Sequence, residues 1–138
     1  MYRRPQIPDE RGCVSHILKK EYLKGTPLKK IAEVYMSTCY PGKMKGWHYH
    51  KKMNMVYTCI SGTAQVVYLD EDIEYHTFFI GEGNYSSVVI PKHTWNAFRA
   101  VGPKTAVLIN CTDIEHDPNE ILRAEGSEFK EYNWDMHV

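Results

Sequence analysis

The sequence lacks an excess of charge of either sign, and this absence excludes two common classes of partner. Its 17 Lys and Arg residues balance 17 Asp and Glu residues. Nucleic acids and anionic membranes are bound through a basic surplus, so neither is expected as a partner. No apolar run approaches the roughly 18 residues of a membrane span. The N-terminus also lacks the apolar segment of a secretory signal, and we therefore expect a cytoplasmic protein.

Paired cysteines are missing as well. The four cysteines form no CxxC pair and lie mostly within apolar runs, at Cys13, Cys39, Cys59 and Cys111. This distribution is typical of buried free thiols in a reducing compartment. It argues against a disulfide framework and against a cysteine-based zinc site.

Long segments with a helical period are also absent, and short β-type segments fill the chain instead. Turn residues separate the predicted strands, which indicates an all-β sandwich or barrel in a single domain over residues 1–138. The one helical prediction is a short turn at residues 118–124, with Asp117 as its N-cap. A loose N-terminal arm and an aromatic C-terminal tail flank the strands. The predicted strands span residues 31–40, 45–50, 55–60, 64–69, 74–80, 86–90, 96–101 and 106–111.

Two histidines in the second predicted strand are the main chemical signal. Side chains two residues apart on a strand share one face, so His48 and His50 point the same way and Trp47 and Tyr49 point the other way. A polar pair on the inner face of a barrel requires partners or a function. The alternative is a solvated edge strand with two surface histidines.

This segment resembles the first sequence motif of the cupins, in which a glycine, a His-x-His pair and a second glycine follow one another. Here the corresponding residues are Gly42, His48, His50 and Gly62. Residues 83–96, which contain Ile-Pro-Lys-His-Thr-Trp-Asn at their end, resemble the second cupin motif. The resemblance implies a cupin-type double-stranded β-helix, or jelly roll, with a short C-terminal helical turn.

Within the cupins, the chain resembles two families that act on nucleotide sugars. Residues 9–12 (Asp-Glu-Arg-Gly), residues 45–49 and the later Thr112, Asp113, Pro118 and Glu120 are similar to motifs of the dTDP-4-dehydrorhamnose 3,5-epimerases. The His-Tyr-His-Lys-Lys of residues 48–52, followed by Cys59 and Gly62, is similar to the dTDP-4-keto-6-deoxyhexose 3,4-ketoisomerases. The resemblance implies a homodimer that acts on a nucleotide-activated sugar without a cofactor.

The chain departs from both the metal-dependent cupins and the epimerases. By spacing, the metal-binding Glu of a cupin falls at Met55 and the third His at Asn96, and a thioether and an amide are poor ligands for a divalent ion. His93 lies where the second motif has a turn glycine. The active-site lysine of the epimerases also falls at Met55, and their acidic tyrosine falls at Ile109. We therefore expect no bound metal and favour ketoisomerisation over double epimerisation.

The chemistry of this reaction suits a histidine pair. Isomerisation begins with removal of a proton next to a ketone, and an imidazole with an ordinary pKa of about 6.5 is a suitable base at neutral pH. The resemblance implies that His48 is the base, with His50 as its partner. The enolate requires hydrogen-bond donors, and the candidates are Lys45, Tyr49 if it faces inward, and Asn96.

A separate group is expected to hold the nucleotide. The resemblance assigns Arg11 to the nucleotide diphosphate, because an arginine offers two parallel hydrogen bonds to a phosphate. Two other functions stay open at this point. One is a non-catalytic cupin that binds a sugar nucleotide, and the other is a metal-dependent cupin with different chemistry.

Overall fold

The computed structural model describes the backbone of residues 1–137 and the side chains up to Asp135. β-Strands form nearly all of its regular structure. Four short 3-10 turns lie at Lys20–Leu23, Pro118–Glu120, Gly126–Phe129 and Trp134–His137. The strands are β1 (Tyr2–Arg3), β2 (Gln6–Asp9), β3 (Gly12–Ser15), β4 (Glu33–Cys39), β5 (Met44–His50), β6 (Met55–Ser61), β7 (Thr63–Leu69), β8 (Tyr75–Gly81), β9 (Ser86–Ile90), β10 (Trp95–Val101), β11 (Ala106–Thr112) and β12 (Ile121–Arg123).

Two five-stranded antiparallel sheets form the barrel. Their strand orders are β1-β9-β6-β11-β4 and β12-β5-β10-β7-β8, and β2 and β3 form a separate hairpin. The side chains between the sheets form one apolar cluster, to which β6, β9 and β11 contribute from one sheet and β7, β8 and β10 from the other. This architecture confirms the expected all-β, cupin-type jelly roll.

Aromatic residues cover the outer face of the sheet that contains β5. The buried Trp47 indole stacks on the ring of Phe129 at 4.2 Å between ring centroids, and Tyr132 contacts the same indole edge-on at 6.2 Å. Beneath the tail, the fully buried Gln65 donates a hydrogen bond to the Tyr132 hydroxyl, 3.0 Å away. The C-terminal tail is therefore a packed part of the domain, and it covers the back of the strand that carries the histidines.

A glycine allows β5 and β10 to approach each other closely. A Cβ atom on Gly46 would lie 2.4 Å from the Cβ of Ala97, and the glycine has a positive φ of 137°. The pairing register of the two strands shifts at this point, between Asn96 and Ala97. Any larger side chain at position 46 would push β5, which carries both histidines, away from β10.

All eight strands predicted from the sequence are present, with end points that differ by at most two residues. The helical prediction at residues 118–124 was wrong beyond its first turn. Asp117 does cap a 3-10 turn through the Asn119 amide, but the next residues form β12 because β5 offers them an unpaired edge. The N-terminal arm is also more ordered than expected, since β1 pairs with β9 and the buried Arg4 donates a hydrogen bond to Ser87.

The cysteines are unpaired, as the sequence predicts. Cys39, Cys59 and Cys111 are buried, whereas Cys13 is exposed on the β2–β3 hairpin. Among the described residues 1–137, no helix has the length and apolar character that a membrane crossing requires.

Candidate active site

A cavity of about 340 Å³ opens between the two sheets at one end of the barrel. The sheet of β5, β10 and β12 forms one wall, with Lys45, His48, His50, Phe98, Ile121 and Arg123. The sheet of β4, β6 and β11 forms the opposite wall, with Glu33, Tyr35, Ser37, Tyr57 and Asn110. Two sets of side chains from different sheets therefore face a common space.

The two histidines lie together in this cavity, as predicted. His48 and His50 both line it, while Trp47 and Tyr49 point to the outer face of the sheet. His50 is buried and His48 is half-buried. Neither imidazole belongs to a solvated surface strand, so the alternative left open by the sequence does not apply.

A buried carboxylate fixes the orientation of His50. The Nδ1 atom of His50 donates a hydrogen bond to Oε2 of Glu120 at 2.9 Å, and only 1% of the Glu120 side chain is exposed. The other carboxylate oxygen accepts hydrogen bonds from the backbone amides of Lys52 at 2.9 Å and Met53 at 2.8 Å. Because a carboxylate only accepts, the proton of a neutral His50 lies on Nδ1 and its Nε2 carries the lone pair.

The surroundings of Glu120 keep it ionised. Burial raises the pKa of this carboxyl group, but hydrogen bonds from the Lys52 amide, the His50 ring and the Met53 amide outweigh the effect of burial. The pKa therefore lies below its ordinary value. At neutral pH, His50 consequently faces a negative charge that stabilises an imidazolium.

His48 has the opposite surroundings. The Nη1 atom of Arg123 donates a hydrogen bond to His48 Nε2 at 2.8 Å, so Nε2 is the acceptor and a neutral ring carries its proton on Nδ1. Burial, followed by the charges of Arg123, His50 and Lys45, lowers the pKa of His48 to about 4. The ring is neutral throughout the physiological pH range, and it is a weak base.

The other predicted site residues have different positions. Lys45 lines the cavity, and its Nζ donates a hydrogen bond to Ser37 Oγ at 3.2 Å. Asn96 lies between the two sheets next to the cavity, where its Nδ2 donates to the carbonyl oxygen of His48 and its Oδ1 accepts from the Tyr57 hydroxyl of the opposite sheet. It supports the site and does not line it.

Two predicted binding residues are outside the cavity of their own chain. Tyr49 does not face inward, because the alternation of the strand places it beside Trp95 on the outer face, with ring centroids 5.4 Å apart. Arg11 lies in the β2–β3 hairpin, where its exposed guanidinium pairs with Asp9 at 2.8 Å. The sheet geometry explains the first difference, and the separate hairpin explains the second.

Sequence reasoning did not assign a role to the two residues that surround the histidines most closely. Glu120 belongs to the motif that is similar to the epimerases, and its position after Pro118 was the available signal. Arg123 had no such signal, because its function depends on the pairing of β12 with β5, in which Arg123 lies opposite His48. A predicted helix at that place gave no reason to expect this pairing.

The positions that carry metal ligands in other cupins hold unsuitable groups here. Met55 is buried in the apolar cluster between the sheets, and both amide atoms of Asn96 are already hydrogen-bonded. His93 adopts a positive φ of 67°, as a turn glycine would, and its Nε2 hydrogen-bonds with the Lys51 carbonyl oxygen. The donor set around His48 and His50 therefore does not fit the four ligands of a metal-dependent cupin.

Comparison with known proteins finds a family model and relatives that match most of the chain. The family model described as "FdtA: WxcM-like, C-terminal" matches residues 1–134. The "Probable low-salt glycan biosynthesis epimerase Agl13" of Haloferax volcanii is 31% identical over 123 residues, which cover 81% of this chain and 77% of that protein. The spore coat polysaccharide biosynthesis protein SpsL of Bacillus subtilis is 28% identical over 118 residues, 81% of this chain and 76% of its own length.

Solved structures share the fold over almost the whole chain. A dTDP sugar isomerase from Desulfovibrio desulfuricans is 30% identical, with a TM-score of 0.85, and the match covers 96% of this chain and 88% of that one. A dTDP-4-dehydrorhamnose 3,5-epimerase from Sulfolobus tokodaii is 19% identical, with a TM-score of 0.81 and coverage of 94% and 77%. At that lower identity the likeness extends to the fold alone.

Proposed function

Because the chain belongs to the FdtA family of WxcM-like C-terminal domains, we propose that it isomerises a nucleotide-activated 4-keto-6-deoxyhexose, with dTDP as the nucleotide. The observation that carries this proposal is the pair of imidazoles in one cavity, one beside a buried carboxylate and the other held neutral beside a guanidinium. Similarity to a dTDP sugar isomerase supports the substrate class.

The contacts favour His50 as the base and His48 as its partner, the reverse of the roles expected from the sequence. Glu120 leaves a lone pair on His50 Nε2 and stabilises the cation that forms when this atom takes the proton next to the ketone. His48 carries its proton on Nδ1, and this N–H donates a hydrogen bond to the enolate oxygen. A neutral imidazole is a suitable donor for that purpose, as in triosephosphate isomerase.

The placement of the titratable groups favours ketone migration over inversion. Both imidazoles belong to one strand and one wall, so His50 Nε2 takes a proton from one carbon and returns it to the neighbouring carbon on the same face of the sugar. The hydroxyl proton of the first carbon is transferred to the former ketone oxygen as the new C=O forms, so the number of protons on the sugar is unchanged. Inversion requires an acid on the opposite wall. There the Tyr57 hydroxyl donates to Asn96 and burial raises its pKa, which leaves Tyr35 as the candidate acid for inversion.

Cations at the cavity mouth suit a diphosphate. Arg123 and Lys45 are exposed, line the cavity, and have no carboxylate within ion-pair distance among the residues with described side chains. We place the diphosphate there, because a guanidinium offers a phosphate two parallel hydrogen bonds. This arrangement requires no cofactor and suits a cytoplasmic metabolic enzyme.

A homodimer would allow Arg11 to contact the nucleotide, as the sequence predicts. The β4 strand ends its sheet and exposes Val34 and Met36, while the hairpin that carries Arg11 exposes Ile7 and Val14. The inner face of β4 lines the cavity. A second copy that covered β4 with its hairpin would therefore bring its own Arg11 towards the mouth of that cavity. Light scattering on the purified chain tests the dimer directly.

The reaction itself is tested by deuterium incorporation. The protein is mixed with dTDP-4-keto-6-deoxyglucose in deuterated water and followed by NMR. We expect a carbonyl at a new position, together with a solvent deuteron on the carbon that carried the original ketone. The double variant His48→Asn/His50→Asn is the control and should bind dTDP but exchange nothing.

The other outcomes of this experiment decide against the proposal. Exchange with an inverted centre and no migration of the ketone would show an epimerase. Binding of the sugar nucleotide without exchange would support the non-catalytic cupin. A reaction that appears only after addition of a divalent ion would support the metal-dependent alternative.

A further inference from the structure

Asn110 occupies the wall of the cavity that faces the histidines. It lies on β11, opposite Tyr35 on β4 and Tyr57 on β6 in the strand pairing, and it is 3% exposed. It lines the same cavity as His48 and His50 but comes from the other sheet. Its side-chain amide is therefore a polar group on a wall to which the proposed reaction assigns no group.

The carbonyl oxygen of this amide has no hydrogen-bond partner. Among the residues with described side chains, Asn110 Oδ1 is the one buried side-chain nitrogen or oxygen atom that has no hydrogen-bond partner. Buried polar atoms in proteins are nearly always hydrogen-bonded, and an exception has a cost in stability. A packed apolar residue would avoid that cost at this position.

The other two buried asparagines show how unusual this is. Asn54 donates from Nδ2 to Asp113 and accepts at Oδ1 from the Lys92 amide. Asn96 donates to the His48 carbonyl oxygen and accepts from the Tyr57 hydroxyl. Both of these amides donate and accept within the protein, whereas the carbonyl oxygen of the amide that lines the cavity accepts no hydrogen bond.

We propose that Asn110 recognises the sugar, and that its Oδ1 accepts a hydrogen bond from a hydroxyl or amino group on the hexosyl ring. This inference rests on the proposed function and adds a specificity-determining residue to it. The position favours the sugar over the nucleotide, because Asn110 is buried while Arg123 and Lys45 at the proposed diphosphate site are exposed. A buried acceptor rejects sugars that lack the matching donor, since such a sugar leaves the acceptor unpaired.

The test compares binding of three kinds of ligand without any turnover. Calorimetry measures the affinities of dTDP, dTDP-glucose and a series of dTDP-deoxyhexoses that lack one hydroxyl each, for the wild type and for Asn110→Leu. Leucine has a similar size and removes the unpaired acceptor, so the melting temperature should be unchanged or higher. Asn110→Ser, which keeps a small acceptor, is the matched control.

We expect Asn110→Leu to weaken binding of dTDP-glucose roughly 5- to 10-fold, the effect of one hydrogen bond, while binding of dTDP stays the same. One deoxyhexose should bind the wild type and Asn110→Leu equally, and it identifies the hydroxyl that is read. Asn110→Ser should recover part of the loss.

Three results would overturn the inference. If Asn110→Leu bound dTDP-glucose as tightly as the wild type, Asn110 would have no role in reading the sugar. An equal loss for dTDP and dTDP-glucose would mean a general change in the site. A wild type that binds dTDP but gains nothing from the hexose would contradict the proposed substrate class, and this inference with it.

Discussion

The two imidazoles of β5 lie two residues apart in the chain but have opposite electrostatic surroundings. His50 donates to the buried carboxylate of Glu120, while His48 accepts from the guanidinium of Arg123. The short segment that ends in β12 supplies both partners. Identical side chains in one motif therefore acquire hydrogen-bond partners of opposite charge from a second element that pairs with the first. The His-x-His pattern alone does not determine which ring is the base.

Removal of each imidazole in turn is the strongest test of this difference. His50→Asn should reduce deuterium exchange by up to about 10⁴-fold, because it removes the general base. His48→Asn should cost less, since it removes a hydrogen-bond donor and leaves the base in place. NMR on dTDP-4-keto-6-deoxyglucose in deuterated water measures both rates. A larger loss in His48→Asn than in His50→Asn would return the role of base to His48.

Replacement of the buried carboxylate should have the next largest effect. Glu120→Gln keeps the size of the side chain but loses the charge, so it no longer stabilises the His50 imidazolium. We expect the exchange rate to fall roughly 10²-fold while affinity for dTDP is kept, because the imidazole itself remains. Asp117→Asn, at the half-buried N-cap of the turn that contains Glu120, is the control. A Glu120→Gln protein with the exchange rate of the wild type would remove the carboxylate from the mechanism.

The smallest expected effect is on stability, and it comes from the neutral His48. It is measured as a dependence of the free energy of unfolding on pH. The folded state keeps His48 neutral down to about pH 4, whereas the unfolded chain titrates near 6.5. Between these values the unfolded state binds more protons, so the free energy of unfolding should fall as the pH is lowered from about 6.5 to about 4. His48→Asn should flatten this dependence on pH. It removes up to about one proton from the difference between the protons bound by the unfolded state and by the folded state. Denaturation at a series of pH values measures it.

The variant Arg123→Met tests the cause of the low pKa of His48. Without the guanidinium, the pKa of His48 should rise above about 4, but burial is the larger cause and keeps it below 6.5. Lys45→Met should raise it less, because Lys45 has the smaller effect of the two cations. Titration of the imidazole C–H signals by NMR follows each change. An unchanged pKa in Arg123→Met would mean that the contact with the guanidinium does not influence His48.

Much of the barrel could be predicted from the sequence, because its strands are short, β-branched and separated by turn residues. The alternation of side chains along β5 also correctly placed His48 and His50 on one face and Trp47 and Tyr49 on the other. Both successes depend on local periodicity, which a single sequence contains.

The features that could not be predicted from the sequence depend on contacts between distant segments of the chain. Residues 121–123 form a strand because β5 offers them an edge, although their local pattern after Pro118 favoured a helical turn. The partners of the histidines come from this strand and the turn before it, about 70 residues away from them in the chain. The unpaired Oδ1 of Asn110 could not be predicted for the same reason, since no local pattern indicates whether a buried asparagine is hydrogen-bonded.

The stacked pair of Trp47 and Phe129 has a practical consequence for protein engineering. The indole belongs to the strand of the imidazoles but points away from the cavity, against the aromatic tail. A change in the volume of a tail ring would therefore alter the packing behind that strand without placing a new atom in the cavity. Engineering of the site could begin at these remote positions, which leave the cavity-lining residues unchanged.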